Sequence, residues 1–130
     1  MQTLIAVVDD DISVRESLES LIRSAGMEVR VFASAEEFLN AAHPRKADCL
    51  VLDVRLPGMN GFELQHHLLA RKCEVPVIFM TAHGYDGRAK SQLPSPSTIA
   101  CLTKPFSEEE LLDALEAASK WVSSEQKQHD

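Results

Sequence analysis

Five strand-like segments alternate with helix-like ones along the chain. Thr3 to Val8 is a continuous apolar run, β-branched at its end, the pattern of a strand buried on both faces. It stops at Asp9-Asp10-Asp11. From Ile12 to Ala25 the residues Val14, Leu18, Leu21, Ile22 and Ala25 recur at helical spacing, and Gly26 follows as a natural terminator. Glu28 to Phe32 reads as a short strand. Ser34-Ala35-Glu36-Glu37 is a capping box, with Phe38, Leu39 and Ala42 on the helix it opens and Pro44 as the stop. Asp48 to Val54 is a second buried run, closing on Asp53. Pro57-Gly58-Met59-Asn60-Gly61 is turn chemistry, after which Phe62, Leu64, Leu68 and Leu69 predict a helix to about Lys72. Val75 to Met80 is a fourth strand ending at Thr81, and Ala100 to Thr103 a fifth ending at Lys104-Pro105. Ser107-x-x-Glu110 is a second capping box, opening a helix with Leu111, Leu112, Leu115 and Ala118.

Strands alternating with amphipathic helices predict an α/β fold, a parallel sheet covered on both faces. Right-handed crossovers then bring every strand's carboxyl end to one edge, where ligands of such sheets bind. At 130 residues, 45% hydrophobic and 25% charged, the chain is the length of one domain. The sequence divides into a domain over residues 1–122 and a polar tail or linker start over 123–130. A net charge of −7 argues against nonspecific binding to nucleic acid and against docking on an anionic membrane. Leu4 to Val8 is too short for a span or a secretory core, so a cytoplasmic protein is expected. Cys49, Cys73 and Cys101 make neither a disulfide framework nor a zinc site. Cys49 and Cys101 are expected as buried small hydrophobes, and Cys73 as an exposed thiol in a turn.

Five strand-end residues carry candidate chemistry: Asp9, Asp10, Asp53, Thr81 and Lys104. Crowded carboxylates repel one another, and a divalent cation relieves the repulsion. An oxygen-only ligand set with room for water suits Mg²⁺ better than zinc. Thr81 offers a hydroxyl and Lys104 a point charge, both suited to a phosphoryl group carried on a carboxylate. Taken singly, each residue has a plainer reading. A DDD run at a helix start caps the helix, and Asp11 is the member expected to do so. Asp53 alone would be a turn residue, Thr81 a strand residue and Lys104 a solvated charge. His66 and His67 are expected solvent-facing or partly packed, since they lack the spacing of a zinc helix. His83 lies near the mouth of the predicted site, Phe106 in the core, and Trp121 over the last helix or at an interface.

Val7-Val8-Asp9-Asp10-Asp11, Leu52-Asp53-Val54-Arg55-Leu56-Pro57-Gly58-Met59-Asn60-Gly61, Met80-Thr81-Ala82 and Thr103-Lys104-Pro105-Phe106 together resemble the receiver domain of bacterial response regulators, in particular the CheY-like receivers of helix-turn-helix transcriptional regulators. The resemblance runs from about residue 3 to residue 120. It implies a flavodoxin-like doubly wound sheet of five strands, order 2-1-3-4-5. It implies that Asp53 accepts phosphate from the phosphohistidine of a histidine kinase or phosphotransfer protein. Asp10, Asp53 and the backbone carbonyl of Arg55 would hold Mg²⁺, with Asp9 acting through a water. Lys104 would contact the phosphoryl oxygens after a cis peptide before Pro105, and Thr81 would bond the phosphate and draw the following loop inward. Arg55 and His83 would tune hydrolysis. By the same resemblance the protein is not an enzyme beyond its own phosphorylation and dephosphorylation, and the face made by the fourth helix, fifth strand and last helix is a candidate homodimer surface.

Two departures from the family pattern stand out. The usual aromatic switch position, three residues before the lysine, holds Cys101. The stretch from Gly84 to Ile99, where a fourth helix belongs, carries Gly84, Gly87, Pro94 and Pro96. An internal proline costs a helix about 3 kcal/mol, so this helix is expected short, displaced or melted. Two other functions compete with the phospho-accepting switch. A degenerate receiver would bind partners without phosphorylation. A Mg²⁺-dependent aspartyl-phosphate phosphatase of haloacid-dehalogenase type would carry an acid two residues after the nucleophile, where this chain has Arg55.

Overall fold

The computed structural model describes residues 3–41, 47–82 and 97–128, the last of these from residue 121 as helical backbone only. Its five strands are β1 (Leu4–Val8), β2 (Glu28–Phe32), β3 (Cys49–Asp53), β4 (Val77–Thr81) and β5 (Thr98–Thr103). The described helices are α1 (Ile12–Ser24), α2 (Ala35–Asn40), α3 (Gly61–Ala70) and α4 (Glu108–Gln128). All strand pairs are parallel, in the order β2-β1-β3-β4-β5. The parallel sheet is what the alternating pattern predicts, and its flavodoxin-like order is what the resemblance implies.

Alternation along the strands divides the core in two. Ala6, Val8, Leu50, Leu52, Val77 and Phe79 face α2 and α3, where Ala35, Phe38, Leu64 and Leu68 meet them. Ile5, Val7, Val51, Ile78 and Met80 face the other way, onto Leu18 and Ile22 of α1 and Leu111, Leu115 and Ala118 of α4. Both faces of β1 and β3 are therefore sealed, which is why these strands read as unbroken apolar runs. Full burial of each large aliphatic side chain is worth about 1.5–3 kcal/mol.

The caps follow the sequence. Asp11 Oδ1 accepts from the Ser13 and Val14 amides, so Asp11 closes the start of α1. Ser34 Oγ accepts from the Glu37 amide at 3.0 Å. Ser107 and Glu110 bond reciprocally, at 3.0 and 3.2 Å, before α4.

Four expectations change. Cys73 is buried, with its backbone amide bonded to the Leu68 carbonyl; the turn after α3 folds back and seats its thiol in the core beside Val75. Cys101 is only partly buried, because β5 is the outer strand of the sheet. Strand β5 begins at Thr98, and a register irregularity at Val77/Ile78 accommodates the extra length. Helix α4 continues to Gln128, past Ser123, where polar composition predicts a tail; the segment has no Gly or Pro, and its Glu, Gln and Lys are good helix formers. The expected short or melted fourth helix, Pro44, His83 and the Trp121 side chain lie outside the described residues.

Candidate functional site

The chain leaves β1 into Asp9, β3 ends in Asp53, β4 in Thr81 and β5 in Thr103 just before Lys104, so parallel pairing sets these residues side by side at one edge. Asp9, Asp10 and Asp53 each offer a carboxylate oxygen, and these oxygens all lie within 4.8 Å of one another. Lys104 Nζ donates to Asp9 Oδ2 at 2.8 Å and to Asp53 Oδ2 at 3.2 Å. Thr81 is buried, and its hydroxyl makes one long contact, 3.5 Å, with the Leu102 carbonyl. The Lys104 amide donates to the Thr81 carbonyl at 2.7 Å, and the Lys104-Pro105 peptide is cis.

The carboxylates are not equivalent. Asp9 is wholly buried and both its oxygens are used, Oδ1 by the Asp11 amide at 2.9 Å and Oδ2 by Lys104. Asp10 is exposed and points its carboxylate at the cluster from the solvent side. Asp53 is 6% exposed; Oδ1 accepts from the Arg55 amide at 3.0 Å. Burial and the neighbouring Asp9 charge push the Asp53 carboxyl above the ordinary range, against the pull of Lys104 and the Arg55 amide. Burial opposes the charge on Lys104, but its bond to Asp9 and the two nearby carboxylates outweigh that and hold its ammonium above the usual value.

This donor set fits a hard dication. It consists of oxygen atoms only, and the Asp9 repulsion that adds to burial in raising Asp53 is what such an ion removes. Asp10 and Asp53, with Asp9 beside them, are the carboxylates that could hold it.

Three features at the site escape a reading of motifs. Arg15 reaches back from α1 and donates to the Asp9 carbonyl at 2.7 Å, fixing the backbone of the first carboxylate. Its place one turn into α1, after the acidic run, is the only sequence signal. Asn60 and Glu63 form a full capping box at the start of α3, at 2.9 and 3.0 Å. The N-x-x-E spacing was legible, but Pro57-Gly58 ahead of it reads first as a turn. Gly61 opens α3 directly against the backbone of Asp53, where a Cβ would lie 2.6 Å from the Asp53 carbonyl oxygen. Beside the site, a groove between α1 and the segment from Pro105 to Glu108 is lined by Val14, Leu18, Leu21 and Phe106.

The family model of the response regulator receiver domain matches residues 5–116. The chain belongs to this family. As a receiver domain it is a component of two-component signalling. It is 44% identical over 119 residues to nodulation protein W of Bradyrhizobium diazoefficiens, covering 92% of this chain and 52% of that protein. It is 38% identical over 124 residues to the transcriptional regulatory protein FixJ of Azorhizobium caulinodans, covering 95% of this chain and 58% of that one. Among solved structures, the response regulator StyR superposes with a TM-score of 0.86 at 42% identity, covering 99% of this chain and 65% of that one. FixJ-N superposes at 0.81 with 31% identity, covering 92% and 95%. The chain spans about half the length of the curated relatives it matches. The regulators among them agree with the expected resemblance to receivers of transcriptional regulators. No described helix of the receiver is long and apolar enough to cross a membrane.

Proposed function

We propose that the receiver takes a phosphoryl group on Asp53 from the phosphohistidine of a histidine kinase or phosphotransfer protein. The observation that carries this reading is the Lys104 ammonium bridging Asp9 and Asp53 beside the three-carboxylate cluster. In the transfer, the P–N bond of phosphohistidine breaks and a P–O bond forms to an Asp53 carboxylate oxygen. The bonding pair stays on the imidazole nitrogen, which takes up a proton. A Mg²⁺ held by Asp10, Asp53 and the Arg55 carbonyl, with Asp9 acting through a water, would neutralise charge on the phosphoryl oxygens.

The chain's own residues do the rest. The Arg55 amide fixes Asp53 Oδ1 and leaves Oδ2, on the Lys104 side, as the attacking atom. Lys104 then moves from carboxylate to phosphoryl oxygen with little change of position. Thr81 exchanges its long contact to the Leu102 carbonyl for a phosphoryl oxygen, and β5 is coupled to that change through the Lys104 amide on the Thr81 carbonyl. Hydrolysis of the acyl phosphate returns the free carboxylate, so the only reaction catalysed is on the receiver itself.

Intact-mass analysis after incubation with acetyl phosphate and Mg²⁺ tests the reading. One phosphoryl adduct is expected on the wild type and none on Asp53→Asn. An adduct on the variant, or none on the wild type, rejects it.

A further inference from the structure

The loop from Arg55 to Asn60 carries the backbone carbonyl assigned to the metal, and it is tied at both ends. At its start the Arg55 amide bonds Asp53, and at its finish Asn60 caps α3. Between these ends a third polar tie arrives from another element. Glu36, in the first turn of α2, accepts the Met59 amide on Oε2 at 3.0 Å across 23 positions of sequence. The fit is close. Gly58 has φ +74°, and a Cβ on it would lie 2.7 Å from the same Glu36 oxygen. Only a residue without a side chain lets the carboxylate sit flush on the turn. The same bond to Met59 holds the Glu36 carboxyl below the ordinary carboxylate range.

We propose that Glu36 is a positioning residue for the phosphorylation site: its carboxylate clamps the Gly58-Met59 turn and so presets the Arg55 carbonyl for the divalent cation. The inference rests on the function proposed above. Glu36 touches neither the acceptor nor any metal ligand; its effect passes through Leu56, Pro57 and Gly58, the three residues between Arg55 and Met59. Without the clamp the turn samples more backbone conformations, and binding must bear the cost of reordering it. A charge-assisted bond at an exposed site predicts a modest effect, on affinity rather than on the chemical step.

Glu36→Ala and Glu36→Gln decide the matter, with Mg²⁺ affinity of the unphosphorylated full chain measured by calorimetry. Glu36→Ala is expected to weaken Mg²⁺ binding about threefold to tenfold, with Glu36→Gln between it and the wild type because it keeps an oxygen acceptor. Amide exchange at Met59 should accelerate in the same order. The phosphorylation rate at saturating Mg²⁺ and the melting temperature without Mg²⁺ should stay near wild-type values. Unchanged Mg²⁺ affinity in Glu36→Ala, beside a wild type that binds Mg²⁺ normally, overturns the clamp alone. So does a fall in melting temperature with no change in affinity. A wild type that binds no Mg²⁺ overturns the parent reading along with it.

Discussion

Lys104 Nζ sits 3.2 Å from Asp53 Oδ2, so the proposed phospho-acceptor is already paired with the cation that would meet the incoming phosphoryl group. The two residues are 51 positions apart and reach each other from β3 and from the end of β5 across β4. The pair is useful only if Lys104 can serve two oxygens in turn, first the carboxylate and then the phosphate. Its second partner, Asp9, allows this by holding the ammonium in place when Asp53 is engaged elsewhere.

Lys104→Ala should therefore slow phosphorylation by acetyl phosphate about a hundredfold or more at saturating Mg²⁺, as loss of one preorganised charge at a transferring group does elsewhere. Lys104→Arg should recover little, since a planar fork does not replace a compact point charge bridging two carboxylates. Rates within threefold of wild type for Lys104→Ala would remove the residue from the mechanism.

Gly61→Ala should damage both fold and site. The new Cβ would meet backbone atoms, the Asp53 carbonyl oxygen at 2.6 Å and the Val54 Cα at 3.0 Å, and neither can swing aside as a side chain would. Overpacking of this kind costs about 1–3 kcal/mol. Urea unfolding should show that loss, and phosphorylation should fall with it because the strain lands on the peptide of the proposed acceptor, Asp53. A variant as stable as wild type would mean that α3 starts further from β3 than it does here.

Cys49 gives a pH dependence. Burial in β3 pushes its thiol from 9.0 to about 12. The folded state thus keeps a proton that the unfolded chain releases. The stability contributed is complete below pH about 9 and declines as the pH rises from there toward 12. Urea midpoints at pH 8 and pH 10 should fall more steeply in wild type than in Cys49→Ala. Parallel slopes for the two proteins would show that the thiol is not sealed.

The strand ends and their chemistry were open to a reading of the sequence because burial on both faces leaves an unmistakable apolar run, and the polar residue that stops the run marks the edge. Asp9, Asp53 and Thr81 announce themselves in that way, and Lys104 follows the shorter apolar run of the half-buried edge strand β5. Asp11 and Ser107 were legible as caps for the same local reason. What stayed hidden depends on contacts between elements. Glu36 reads as an interior acid of a capping motif, and nothing near it in the chain points to Met59. Gln65 looks like a polar helix position, yet it is buried and donates to Thr98 Oγ1 at 2.9 Å, joining α3 to the start of β5. Cys73 follows Arg71-Lys72, a polar pair that argues for solvent, and only the fold-back after α3 turns it inward.

Strand β3 lies third of five in the sheet, with every one of its residues enclosed. Asp53 is consequently mounted on the part of the molecule least able to travel. In the function proposed above it is an anvil: the donor's phosphohistidine would have to be delivered down to it, and any news of the arrival would have to leave through the outlying strands and loops.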